Sequence, residues 1–251
     1  MLERITAMIF SPTGGTRRAA LCLAEHLATQ VCEVDLSMPG EHRLNGEDVV
    51  IVAVPVFGGR IPACAAARLK GCVGNGARAV TLAVYGNRAY DDALLELNDC
   101  VEAQGFRVVA SAALIAEHSM SRTVAAGRPD VKDCEEMQGY AKAILHKLKS
   151  GEQLSTTVPG NRPYRDWKPM PAVPLVSDAC VSCGLCAEKC PVQAIPKDAP
   201  QTTVPAKCIL CMRCVSLCPE QARRLPDQVQ GMLDQKLAPL QQVRRENEWF
   251  L

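Results

Sequence analysis

The chain has 251 residues, 48% of them hydrophobic, with 28 Lys and Arg against 27 Asp and Glu for a net charge of +1. Such a chain can bury a real core, as one medium domain with a small one attached, and its balanced charge argues against a nucleic-acid or anionic-membrane partner. The longest apolar run, 49–57, is too short to span a bilayer, and the N-terminus lacks the basic and apolar regions of a signal peptide, so the expected location is the cytoplasm.

Residues 1–150 alternate short apolar runs with helical patterns. Strands are predicted at 5–10, 32–36, 49–54, 79–85 and 108–115, and helices at 15–29, 63–72, 91–104 and 131–149. In the first helix Ala20, Leu23, Ala24 and Leu27 recur at helical spacing. Val- and Ile-rich strands alternating with helices imply right-handed crossovers and a parallel sheet covered on both faces. The expected fold is α/β, with five parallel strands in the order 2-1-3-4-5 and a ligand crevice beyond their carboxyl ends.

Three loops fall at that crevice. Strand 1 runs into Ser11-Pro12-Thr13-Gly14-Gly15-Thr16, whose hydroxyls and glycine N–H groups at a helix N-terminus suit a phosphate, or a plain N-cap. No Gly-Lys-[Ser/Thr] follows, so it is not a Walker loop. Strand 3 ends in Pro55-Val56-Phe57-Gly58-Gly59-Arg60 and strand 4 in Tyr85-Gly86-Asn87-Arg88-Ala89-Tyr90. Each offers an aromatic, a glycine and backbone polar groups to a flat heterocycle. Arg60 and Arg88 either face that ligand or sit at a solvated rim. Glu117-His118-Ser119 follows strand 5, and His118 there reads as a structural or a crevice-facing histidine.

From 151 to 174 five prolines and no apolar period mark a tether or a wrapped arm, which Tyr164 and Trp167 could anchor. A cysteine-dense region, about 175–226, follows. An amphipathic helix is predicted near 228–245, and Trp249, Phe250 and Leu251 are expected to dock back on the protein.

Eight of the 14 cysteines lie between Cys180 and Cys218, and six are scattered through the first 134 residues. Cys180-x-x-Cys183-x-x-Cys186-x-x-x-Cys190-Pro191 repeats as Cys208-x-x-Cys211-x-x-Cys214-x-x-x-Cys218-Pro219. Three thiolates at successive i, i+3 spacings take three corners of one cubane, and the fourth, before proline, reaches the other cluster. The ligand sets are then Cys180, Cys183, Cys186 and Cys218 for cluster I, and Cys208, Cys211, Cys214 and Cys190 for cluster II. Zinc ribbons use CxxC pairs rather than such triplets. Gly184 is read as fitting a crowded backbone at the first cluster, and Cys64, following the second loop, is the scattered cysteine most apt for a role beyond packing.

Residues 175–226 resemble a bacterial two-cluster ferredoxin, a small α+β domain, which implies low-potential one-electron transfer. The segment from 177 to 227 carries five acids and six bases, unlike the acidic members of that family, and this suits a partner tethered in the same chain. The three loops resemble those of flavodoxins. That resemblance implies FMN, with its phosphate at Ser11, Thr13, Gly14, Gly15 and Thr16. It places the isoalloxazine between the loops 55–60 and 85–90, with Tyr90 and Phe57 on its faces and Asn87 at its pyrimidine edge. The whole chain is similar to flavodoxin–ferredoxin fusion proteins of anaerobes. Its expected parts are a flavodoxin-like domain at 1–150, a linker at 151–174, and a two-[4Fe–4S] domain with a C-terminal helix at 175–251. The function this implies is one-electron transfer between the clusters and FMN, with redox proteins as partners. The alternative is a flavin reductase acting on a small acceptor.

Overall fold

The computed structural model describes residues 1–150, 156–168 and 170–251; residues 151–155 and Pro169 of the predicted linker lie outside the described residues. Strands β1 (Leu2–Ile9), β2 (Ala28–Asp35), β3 (Val49–Pro55), β4 (Arg78–Tyr85) and β5 (Arg107–Ile115) run parallel in the order β2-β1-β3-β4-β5. This is the expected doubly wound arrangement. The sheet gains a sixth strand, β6 (Glu248–Phe250), antiparallel to β5 with Trp249 opposite Ala112. The terminal aromatics do dock back, as an edge strand of the first domain.

The period-2 alternation sorts side chains between two cores. Ile5, Ala7 and Ile9 of β1 pack under α1 (Gly15–Leu27) and α4 (Val131–Ser150), while Met8 and Phe10 pack with α2 (Ala63–Leu69) and α3 (Ala93–Glu102). Ala19, Ala20 and Ala24 keep α1 narrow where it meets the sheet and α4. The second strand starts four residues earlier than predicted, because β2 is an edge strand and its exposed Thr29 and Gln30 hide the pattern. The third helix starts two residues later than predicted, because Asp91 has φ +46° and Asp92 gives its carboxylate to the arm.

Residues 156–168 form an arm rather than a tether. Asn161 and Arg165 donate backbone N–H groups to Asp92 at 2.8 and 2.7 Å. Arg162 pairs with Asp99, and the Tyr164 hydroxyl donates to the same carboxylate. Arg60 lies 4.8 Å over the Tyr164 ring.

The cysteine region is built as two related halves. Leu175–Val176 pairs with Arg223–Arg224, and two single-turn helices, α5 (Leu185–Glu188) and α6 (Arg213–Ser216), carry Cys186 and Cys214. Left-handed backbone at Ser182, Gly184 and Gln193 recurs at Leu210, Met212 and Gln221, the offset that separates Cys180 from Cys208. A Cβ on Gly184 would meet nothing within 4 Å. Its glycine therefore answers to a φ of +78° rather than to the crowding expected from sequence.

The region docks on the carboxyl ends of the strands. Arg213 Nη1 donates to Ser37 Oγ at 2.6 Å, just beyond β2, and Arg68 Nη2 of α2 to the Pro191 carbonyl at 3.3 Å. The last helix, α7 (Asp227–Leu237), gives way to a 3-10 turn at Ala238–Leu240, short of the predicted 245, because Pro239 stops it. The chain beyond is fastened by Asn87, whose Nδ2 donates to the carbonyls of Leu240 (3.2 Å) and Val243 (2.6 Å).

Candidate functional site

The eight cysteines fall into two rings. One small cavity is lined by Cys180, Cys183, Cys186 and Cys218, and another by Cys190, Cys208, Cys211 and Cys214. Each ring thus takes three cysteines from its own half and one from the other. Among the described residues no group of three His, Cys, Asp or Glu side chains is gathered as a single-ion site. Backbone N–H groups already point at the sulfurs: Ala194 donates to Cys190 Sγ at 3.2 Å and Ala222 to Cys218 Sγ at 3.3 Å. Burial pushes the Cys211 thiol up to about 12 and Cys214 to about 11. The metal-free thiols are therefore protonated, and binding iron would displace those protons. The two rings differ in exposure. Cys183 and its neighbour Val181 face solvent, whereas Leu210 and Met212 on either side of Cys211 are buried.

At the crevice the first loop has the features of an anion cradle. Gly14 is left-handed (φ +89°) and turns the chain into α1. A Cβ on Gly15 would stand 3.1 Å from Ala116 Cβ, so only glycine fits easily there. Thr13, Gly15 and Thr16 line a cavity of about 70 Å³ together with Phe57, Gly86 and His118. Cys211 lines it too, so a cysteine of the second ring and the phosphate-type loop share one space.

The second loop is a tight turn, Phe57 and Arg60 exchanging backbone hydrogen bonds across Gly58 (φ +60°) and Gly59 (φ +87°). Trp167 of the arm lies against Gly58, where a Cβ would be 1.8 Å from its Cδ1. Phe57, Gly58 and Trp167 lead into a second, larger chamber of about 500 Å³, which shares Val56, Phe57, His118 and Ser119 with the smaller cavity. His118 packs on Gly86. Its Nδ1 accepts the N–H groups of Met120 and Ser121 at 3.2 Å each, which leaves the neutral ring's hydrogen on Nε2. Burial, and then the nearby Arg88 charge, lowers its pKa, so His118 is an uncharged group between the two cavities at neutral pH.

Comparison with known proteins matches one segment of the chain to a family. Residues 179–223 match the family described as the 4Fe-4S dicluster domain. The chain joins a doubly wound sheet of the order 2-1-3-4-5 to a segment that matches the 4Fe-4S dicluster family. No curated protein matches it as a sequence. Among solved structures it is similar to rubredoxin oxygen:oxidoreductase from the anaerobe Desulfovibrio gigas, at 16% identity and a TM-score of 0.43, over 59% of this chain and 36% of that one. It is also similar to an NADH:FMN oxidoreductase in its apo form (20% identity, TM-score 0.42, 59% of this chain and 89% of that one). A Streptococcus pneumoniae flavodoxin (17% identity, TM-score 0.38) matches over 59% of this chain and 99% of its own. Among the described residues no helix is long and apolar enough to cross a membrane.

Within the flavodoxin-like fold, Thr13, Gly15, Thr16, Pro55, Val56, Phe57, Tyr85 and Gly86 line the smaller cavity, and Gly58 and Arg88 the larger. Six residues read as binding residues line neither. Ser11 Oγ accepts the Arg17 N–H at 3.0 Å and so caps α1, and Gly14 shapes the turn. Gly59 is filled in by Asp91 and Arg165. Arg60 is held by both oxygens of Glu96 at 2.7 Å, which strips it of any free charge toward the crevice. Asn87 serves the C-terminal tail instead of a pyrimidine edge. Tyr90 is buried beside Tyr85 and donates its hydroxyl to Glu248 at 2.7 Å, so it offers no face for stacking. The sequence pattern places Cys211 at a cluster but does not show it on the smaller cavity, nor Leu210, Leu233 and Lys236 on the larger one, because the loops they join are far away in the chain. Trp167, expected as an anchor of the arm, also lines the larger chamber.

Proposed function

We propose that this protein carries single electrons between two [4Fe–4S] clusters and an FMN bound within the same chain. The observation that carries this reading is Cys211, which lines the second cysteine ring and also the cavity walled by the phosphate-type loop. The rings supply eight thiolates in two crossed sets, and buried backbone donors lie against their sulfurs. Thr13, Gly15, Thr16 and the N-terminus of α1 would hold the flavin phosphate. Val56, Phe57, Gly86 and His118 would wall the ring, with Phe57 as its aromatic face. When bound, the clusters supply one-electron steps and the flavin supplies both one- and two-electron chemistry.

The exposures give the conduit a direction in space. Cluster I, ringed by exposed Cys183 and Val181 (65% exposed), is the port for redox partner proteins, and cluster II is the inner relay. Burial around Cys211 excludes water from the inner relay, and Arg213 pins α6 beside Asp35 and Ser37 so that its position is fixed. Replacing Thr13 by Ala and Gly14 by Val together should abolish flavin retention while leaving the iron content unchanged. Recovery of FAD or a nucleoside triphosphate in place of FMN would contradict the reading.

The 500 Å³ chamber favours a second reading, in which the same flavin also serves a small acceptor. Small-molecule sites run to roughly 300–1,000 Å³, and this one adjoins the flavin loops.

A further inference from the structure

The flavin loops supply little of the larger chamber. Most of its remaining wall comes from the arm (Trp167, Lys168, Met170, Pro171), from Ile209 and Leu210 beside the second cysteine ring, and from α7. The chain invests three separate segments in enclosing a space that the flavodoxin-like fold alone would leave open.

The wall has a definite chemistry. Its interior is apolar, formed by Trp167, Met170, Leu210, Leu233 and Leu237, and among the described residues its charged lining groups are Arg88, Lys168 and Lys236, with no acid. Arg88 is taken by Asp91 at 2.5 Å. Asp234 on α7 is turned aside, accepting from Ser121 Oγ at 2.7 Å. Among the described residues neither Lys168 nor Lys236 has an acidic partner. Both lysines are exposed while Leu210 and Leu237 are buried, so two uncompensated ammonium groups lie toward solvent and the apolar surface lies within. Three methionines, Met120, Met170 and Met232, border the space, and their flexible thioethers adapt to flat bodies of varied outline.

We propose that this chamber binds a small organic anion with a flat apolar body, its acidic group at Lys168 and Lys236 and its body against Trp167, Met170 and Leu233. Its use as an electron acceptor rests on the function proposed above; its binding does not. Trans-cinnamate is a suitable probe, with cinnamyl alcohol as its uncharged counterpart. Each is titrated calorimetrically into the anaerobic full-length protein carrying flavin and iron. Cinnamate should bind once per chain and about tenfold more tightly than the alcohol, because only the acid gains charge-assisted hydrogen bonds. Lys168→Gln with Lys236→Gln should erase that preference while leaving the alcohol's affinity unchanged. Equal binding of acid and alcohol, no binding of either, an unchanged preference in the double variant, or binding to flavin-free protein alone would each overturn the proposal. The last of these would mean that the flavin ring fills the chamber. Flavin is quantified on the same sample. Its absence would count against the proposed function, while the lysine dependence would still decide the chamber.

Discussion

Removing the Arg128 guanidinium should unfasten the C-terminal tail from the sheet. Arg128 and Asp133 are both buried, and Arg128 reaches the carboxylate through Nε at 2.9 Å and through Nη2. Its Nη1 donates to the Arg245 carbonyl at 2.7 Å, and Asn247 Nδ2 donates to the same Asp133 carboxylate at 3.0 Å. One buried ion pair therefore holds the tail that follows α7 and ends in β6. Breaking a buried pair by deleting one partner costs about 3–5 kcal/mol, since it strands the other charge. Arg244, at 3.4 Å, and the Asp130 N–H, at 2.8 Å, still face Asp133, which puts Arg128→Ala near about 3 kcal/mol, the lower end of that range. Urea denaturation at neutral pH measures the loss, and limited proteolysis shows whether cleavage moves into residues 238–251. Arg128→Met with Asp133→Leu, which removes both charges, should recover most of the stability. A loss below about 1 kcal/mol, no larger than an exposed ion pair gives, or a double variant no better than the single one, would refute the buried-clamp reasoning.

Cys190→Ala should damage the cluster otherwise held by Cys208, Cys211 and Cys214; an EPR spectrum that instead lost the cluster of Cys180, Cys183 and Cys186 would disprove the crossed sets. Acid should release the arm. Arg162 holds the Asp99 carboxyl below its usual range, helped by Tyr164 against the opposing effect of burial. A depressed carboxyl stabilises the fold above its unfolded value of about 3.9 and loses that contribution as pH falls through the folded value, so Trp167 emission, in a Trp249→Phe background, should change only below about pH 4. Arg88→Glu should lower the reduction potential of the bound flavin by on the order of tens of millivolts. Arg60→Glu, whose charge faces Glu96, should loosen the arm and leave that potential nearly unchanged; a larger effect from Arg60 in spectroelectrochemistry would reverse the assignment.

The strands were legible because β3 to β5 are buried on both faces and so read as near-continuous apolar runs, interrupted within only by Thr81 and Ser111, and the cysteine spacing carries its ligand pattern within a few residues. What escaped the sequence depends on partners remote in the chain. Tyr90 has the position of a stacking aromatic, yet Glu248 claims its hydroxyl across 158 residues. Asn87 is spent on carbonyls of the tail in the same way. Trp167 lies in a proline-rich stretch with no periodicity, and only the space left by Gly58 shows where its indole goes. Gly58 itself was visible as a loop glycine open to a flat ligand, but not as the floor under another side chain.

Rapid one-electron reduction of the anaerobic protein, followed at cluster and flavin wavelengths, tests the conduit most directly. The account predicts that cluster bleaching recovers as the flavin is reduced, with a single rate that does not change with protein concentration, because donor and acceptor share one chain. A rate rising in proportion to protein concentration, or clusters that cycle while the flavin stays oxidised, would contradict it.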